Sequence, residues 1–285
     1  MREKIRKGRG KVGSTLGLLV ALLIGGVHSP KAFGGEPSVI GHDILVFVDE
    51  TGSTGRQFEI YRRALLSRIV PGLRGGDRLR VLPIGDDSSL ISDFLAQGSL
   101  SAAPAFDGFS DNELEYQAKV KTIRKKNQEV RQQLLTTLKQ ALAKPGQAPE
   151  TDIFGATRMA SQLLSADKRR PVVVFLSDMQ EDRGRFRYKN MTFGKKDLAR
   201  VGAIYGFPDL KNVCVYVVGT RSSSIERTRK MLTFWEDYFK KSGAAATPDH
   251  MVSMLVNWPP PESCGSPRVR EKTVLSWFDR LRREF

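Results

Sequence analysis

The chain has 285 residues, of which 27% are charged and 40% hydrophobic, fractions ordinary for a soluble protein that buries a core. That excludes a chain too polar to fold and leaves room for one large domain or two small ones. The net charge is +15, but the excess is scattered, so it reads as a solvated basic surface before it reads as a binding site for an anionic surface.

The first 34 residues have the pattern of a targeting segment. Basic residues crowd Arg2–Lys11, Thr15–Val27 is uncharged and mostly apolar, and small residues follow at Ala32 and Gly34. The apolar run is shorter than the roughly 20 residues that a spanning helix needs. A signal peptide removed after Gly34 is expected, with an uncleaved N-terminal anchor as the alternative. Either places the remaining chain in the periplasm or outside the cell. No Cys lies near the end of the apolar run, which argues against a bacterial lipoprotein.

The next stretch, Asp43–Gly55, reads DILVFVDETGSTG. Ile44–Val48 is a short, β-branched apolar run and predicts a buried strand. It stops at Asp49, and the hydroxyls of Thr51 and Ser53 follow across a turn eased by Gly52. Arg56–Val70 predicts a helix on the stripe Phe58, Ile60, Tyr61, Leu65, Leu66 and Ile69, ended by Pro71-Gly72. Asp77–Ile84 predicts a second strand, Ser88–Ala96 a third at an edge, and Gln97–Ser110 a loop.

Asp111–Ala143 contains no Gly or Pro and predicts a long helix, capped by Ser110 or Asp111, about 50 Å in length at about 1.5 Å per residue. Its second half, with Val130, Leu134, Leu135, Leu138 and Leu142, is expected to pack on the sheet while the charged first half projects. Tyr116, Val120, Ile123, Asn127, Val130 and Leu134 alternate by four and three, a stripe open to a coiled-coil or helical-hairpin contact.

After Lys144-Pro145-Gly146, Ile153–Leu164 predicts a helix and Pro171–Ser177 a continuous apolar strand ending at Asp178. Gln180–Lys196 is polar and basic between Arg183 and Lys189, and reads as an exposed loop or edge hairpin. Val213–Val218 predicts a strand, Ser223–Lys241 an amphipathic helix, Met251–Val256 a last edge strand, and Glu271–Arg283 a terminal helix. Strands and helices alternate from about Asp43 to Val256. This is the sign of an α/β fold: a doubly wound, mostly parallel sheet with helices on both faces, plus a long inserted helix. The expected domain spans 40–257 and the C-terminal extension 258–285.

Only two cysteines occur, Cys214 and Cys264. Export would permit a bridge, but Cys214 sits in an apolar run and reads as a buried small hydrophobe, so a Cys214–Cys264 disulfide is not expected. The histidines, His28, His42 and His250, are scattered, and no Cys/His metal cluster is expected.

In a parallel sheet the strand C-termini share one edge. Asp49, Thr51 and Ser53 after the first strand, Thr151 before a helix, and Asp178 after a later strand can therefore meet there. Two carboxylates and three hydroxyls are hard oxygen donors suited to Mg²⁺, Mn²⁺ or Ca²⁺ and not to zinc or copper. Singly, each has an ordinary role: Ser53 or Thr54 as a helix cap, Thr151 or Asp152 as the cap of the next helix, Asp178 as a strand-end acid. Glu50 and Asp182 read as peripheral.

With these residues in place, the chain resembles a von Willebrand factor A-type domain with a metal-ion-dependent adhesion site. That family's signature is Asp-x-Ser-x-Ser after the first strand, a Thr in a second loop and an Asp after a central strand. The matching positions are Asp49, Thr51, Ser53, Thr151 and Asp178. Thr51 replaces the first Ser and keeps its hydroxyl; Met179 stands where the family often has Gly, which bears on the shape of the third loop. The resemblance implies that Thr51 and Ser53 contact the metal directly, that Asp49 and Asp178 act through water, and that Thr151 joins when a ligand is engaged. It also implies a partner protein that completes the coordination with a Glu or Asp.

The resulting expectation is an exported, non-enzymatic binding module. Nothing resembling a catalytic base or nucleophile accompanies the metal residues, and no small-molecule substrate is expected. One alternative is a metal-dependent hydrolase or phosphatase. A phosphatase of the haloacid-dehalogenase type would need a second Asp where Thr51 stands, and a serine hydrolase would need a His and a Gly-x-Ser-x-Gly elbow. Another is a nucleic-acid or anionic-surface binder using Arg183–Lys189 and Arg268–Arg283, against which export argues.

Overall fold

The computed structural model describes residues 41–265 apart from 52–54, 91–92, 110, 145, 165–167, 256–257 and 262–263. The segment expected to be a targeting signal, Ser53, Thr54, the cap candidate Ser110 and the terminal helix expected at Glu271–Arg283 lie outside the described residues. No helix among those described is long and apolar enough to cross a membrane.

Six strands form one sheet: β1 (His42–Asp49), β2 (Arg78–Ile84), β3 (Ala96–Ser99), β4 (Arg170–Leu176), β5 (Cys214–Val218) and β6 (Met251–Val252). The order is β3-β2-β1-β4-β5-β6, with every pair parallel except β2–β3. The sheet is therefore mixed and mostly parallel. From β1 the chain winds out to β2 on one side and later returns to β4 on the other, so the β1–β4 seam is the topological switch point.

The period of two along the central strands sorts their side chains into two cores. Ile44, Val46 and Val48 face one side with Val172, Val174 and Leu176; Leu45 and Phe47 face the other with Val173 and Phe175. The first face is covered by α1 (Gly55–Ala64), its one-turn π extension Leu65–Ile69, and the C-terminal half of α2 (Glu113–Ala141). The second is covered by α3 (Ile153–Leu163), α4 (Lys195–Tyr205) and α5 (Ile225–Lys241). Phe154 of α3 anchors an aromatic cluster there, 5.0 Å from Trp235 and 5.3 Å from Tyr238 between ring centroids.

Buried charge pins the register at the start of β1. Asp43 lies opposite Arg78 in the parallel ladder, and its carboxylate accepts from Arg78 at 2.6 Å and Arg80 at 2.7 Å. A slip of one residue would strand Asp43 in the core without these partners.

Several elements differ from the sequence expectation. The edge strand lies at 96–99, not 88–96, because Leu95 begins the pairing with β2 and the residues before it turn on Asp87 and Ser89. The long helix starts at Glu113 with Asn112 as its cap, its side chain accepting from the Leu114 and Glu115 amides. Its 29 residues span about 43 Å. Leu134 and Leu138 pack on the sheet as expected, and Val130 and Leu134 lie against Gly98 of β3.

The first half of α2 is sheathed by its own chain at several positions. Tyr116 meets the Phe106 ring at 4.9 Å, and Asn127 exchanges two hydrogen bonds of 2.9 Å with the Ser101 backbone. The four-and-three stripe is thus spent largely within the domain.

The basic stretch at 180–196 is neither a hairpin nor wholly exposed. Glu181, Phe186, Met191 and Phe193 are buried, and α4, which the sequence reading passed over, begins at Lys195. The last strand shrinks to Met251–Val252. Cys214 and Cys264 do form a disulfide, with Cα atoms 5.4 Å apart, Cys264 lying beside the first residue of β5.

Candidate functional site

Asp49 is the last residue of β1 and is 1% exposed. Its Oδ1 accepts from the Thr51 amide at 3.1 Å and from the Thr51 hydroxyl at 2.7 Å. Its Oδ2 accepts from the Ser177 hydroxyl at 2.7 Å, across the β1–β4 seam. The Ser177 Oγ in turn accepts from the Met179 amide at 2.9 Å.

Thr151 arrives from the loop before α3. Asp152 takes the cap of that helix, its Oδ1 accepting from the Gly155 amide at 2.7 Å. This leaves the Thr151 hydroxyl to donate to Thr51 Oγ1 at 3.2 Å. Gly155 is required for the cap, since a Cβ there would lie 1.9 Å from the Asp152 carboxylate.

Asp178 follows Ser177 and is 7% exposed. Burial, reinforced by the neighbouring Asp49 carboxylate, pushes its acid up to about 7. Asp49 is raised as well by burial, against the opposing hydrogen bonds from Thr51 and Ser177. Glu50 is raised by burial and by Asp49. Tyr61 of α1 is pushed up by burial, then by the Asp178 and Asp49 charges. Two buried carboxylates thus share one low-dielectric space, and no Lys or Arg among the described residues forms an ion pair with either. That is the electrostatic situation a divalent cation relieves.

Of the five sequence-predicted residues, Asp49, Thr51 and Thr151 are joined in one hydrogen-bonded chain, and Asp178 is coupled electrostatically to Asp49. Ser53 lies outside the described residues. The donor set of the four described residues is all oxygen and fits a hard cation. A groove of about 450 Å³ opens beside Thr51 and Thr151, lined also by Gln147, Gln180, Tyr188 and Lys189.

Met179 stands at the position where the resembled family often has glycine. Its φ is 63°, in the left-handed region. The strain, of order 1–2 kcal/mol, is held by a buried side chain and by Trp235, whose Nε1 donates to the Met179 carbonyl at 3.0 Å.

Sequence reasoning missed four supporting residues. Ser177 was read only as a strand end. Glu181 is buried and accepts from the Ile153 amide at 2.7 Å and the Phe154 amide at 3.2 Å, so a carboxylate from the β4 loop closes the N-terminus of α3. Arg183, read as part of a solvated basic loop, bridges Asp152 at 2.7 Å and Asp87 at 2.8 Å. Gly219, at φ 102°, lets Tyr61 approach where a Cβ would stand 2.3 Å from its ring. Short polar residues at strand ends were the available signal for Ser177; nothing local marks the other three.

No protein-family model matches the sequence, and no curated protein matches it. Among solved structures, the chain is similar to the pilus adhesin SpaC from Lactobacillus rhamnosus GG in an open conformation, with 15% identity and a TM-score of 0.40 over 76% of this chain and 28% of that one. It is similar to a von Willebrand factor type A protein from Catenulispora acidiphila, with 10% identity and a TM-score of 0.34 over 71% of this chain and 42% of that one. The human COPII-coat protein Sec24c matches at 10% identity and a TM-score of 0.29 over 71% of this chain and 32% of its own. The chain spans less than half the length of each of these.

Proposed function

We propose that the protein is an exported binding module of the von Willebrand factor A type, which engages an acidic group of a partner protein through a divalent cation, Mg²⁺ or alternatively Mn²⁺ or Ca²⁺. The observation that carries this reading is the linked set Asp49–Thr51–Thr151, with Asp178 beside it, at the C-terminal rim of β1 and β4. Asp49, Thr51, Ser53, Thr151 and Asp178 are the residues proposed to hold the cation. When bound, it supplies a Lewis-acidic position for one outside carboxylate.

The protein's own residues prepare that position. Asp49 and Asp178 bring two negative charges, enough to neutralise a divalent cation, while Thr51 and Thr151 would add neutral oxygens without excess negative charge, so the cation stays electrophilic. Ser177 fixes one Asp49 oxygen and Thr51 the other, so the carboxylate is oriented before any cation arrives. The groove beside Thr51 and Thr151, with both Lys189 and Asp182 on its wall, is open to a partner side chain. Against a phosphatase stands Thr51 itself: its hydroxyl donates to Asp49 at the position where a general acid would be needed.

The test is titration of Mg²⁺ and Mn²⁺ into the wild-type chain and into Asp49→Ala and Ser53→Ala variants, followed by a pull-down with and without chelator. Cation binding lost in both variants, and a partner released by chelator, are the expected results. Equal cation binding by wild type and Asp49→Ala sinks the reading, as does phosphatase or esterase turnover that Asp49→Asn abolishes.

A further inference from the structure

A second cluster lies at the other end of the sheet, where β5 begins. Cys214 opens that strand, and Cys264 bonds to it from a position 50 residues later. The His250 Nδ1 lies 4.0 Å from the Cys214 sulfur. One ligand atom from each of the three residues falls within 4.8 Å of the others. This overturns the sequence expectation that no Cys/His cluster exists: the tertiary fold assembles one from residues too far apart for any spacing rule.

The surroundings suit a thiolate metal site. Cys214 and Cys264 are 0% and 6% exposed, so water competes little for the sulfurs. The His250 ring is held by stacking on Tyr216, 4.4 Å between centroids, and Tyr216 is in turn met edge-on by Trp258.

We propose that Cys214, Cys264 and His250 form a redox-gated site: locked as a disulfide when oxidised, and binding one zinc-class cation when reduced. The gating step is thiol–disulfide exchange with a dithiol reductant, which supplies two electrons and two protons and leaves as its own cyclic disulfide. Cation binding then displaces the thiol protons to solvent. Tetrahedral bonding with Zn–S near 2.3 Å and Zn–N near 2.0 Å sets ligand atoms roughly 3.5–3.8 Å apart. The 4.0 Å sulfur–nitrogen separation already approaches this, and side-chain rotation of two cysteines with Cα atoms 5.4 Å apart provides the rest. The three ligands leave a fourth position for water, and both states keep the segment around Trp258 fastened to the sheet.

The test uses the full chain, reduced with a dithiol that is then removed under argon, with Co²⁺ as the spectroscopic probe and Zn²⁺ as competitor. One equivalent of Co²⁺ should give a sulfur-to-metal charge-transfer band that Zn²⁺ bleaches and that the oxidised chain does not develop. Cys264→Ser should abolish the band. His250→Ala, which leaves both cysteines in place, should bind roughly tenfold or more weakly after reduction. Circular dichroism follows the fold throughout. Absence of the band in a reduced, folded chain, an unchanged affinity in His250→Ala, or unfolding on reduction alone would each overturn the proposal.

Discussion

The Ser177 hydroxyl donates to the Asp49 carboxylate at 2.7 Å, joining the ends of the two central parallel strands with one buried hydrogen bond. Ser177→Ala therefore leaves Asp49 Oδ2 without its donor in a site that is 1% exposed. The expected cost is about 1–3 kcal/mol in urea unfolding. Weaker Mg²⁺ affinity should accompany it, since the carboxylate loses its fixed orientation. Unchanged stability would show that Oδ2 is solvated in solution.

Met179 separates packing from strain. Met179→Ala keeps the left-handed backbone strain and loses the buried side chain; Met179→Gly loses the same side chain but relieves the strain. Both should destabilise, with Ala the worse by about 1 kcal/mol. Denaturant midpoints measured side by side decide the order, and an Ala variant as stable as the Gly variant contradicts the strain.

Gly219 and Tyr61 are in direct conflict with any larger residue. Gly219→Ala adds a Cβ 2.3 Å from the Tyr61 ring at φ 102°. A loss of about 1–3 kcal/mol is expected from the backbone conformation alone. Because the Asp178 and Asp49 charges reach Tyr61, a shift of its ring should lower cation affinity as well. A thermal melt and a Mg²⁺ titration on one preparation report both.

Glu181 gives a pH signature away from the proposed ligands. Burial, and then the Asp152 charge, raise its acid well above the ordinary 4.5, against three backbone hydrogen bonds that favour the carboxylate. The native state therefore holds its proton more tightly than the unfolded state. Its contribution to stability is fully present below about 4.5 and is lost as pH climbs through the raised value. Glu181→Gln keeps an acceptor for the Ile153 and Phe154 amides and carries no charge. Stability curves across that range should be flatter for the variant, and parallel curves would refute the assignment.

The strands were legible because burial on both faces demands unbroken β-branched runs, as in Val172–Val174 and Ile44–Val48. The edge strand at 96–99 was misplaced because Ala-Gln-Gly-Ser carries no such run; its position comes from pairing with β2. The helix α4 was missed because no capping side chain precedes it: its cap is Gly194, and Asp197, inside the first turn, reaches back to the Thr192 and Phe193 amides. The cap of α3 was left between two residues, and only the fold assigns it to Asp152, freeing Thr151.

Local chemistry by itself determined the alternation of strands and helices and the strand-end acids and hydroxyls, because periodicity and residue type act within a few residues of chain. Only the tertiary structure decided which groups meet. Ser177 against Asp49, Glu181 under α3, Arg183 between Asp152 and Asp87, and His250 beside the Cys214–Cys264 bridge are contacts between segments far apart in sequence. Their partners are chosen by sheet order and burial, and neither quantity exists until the chain is folded.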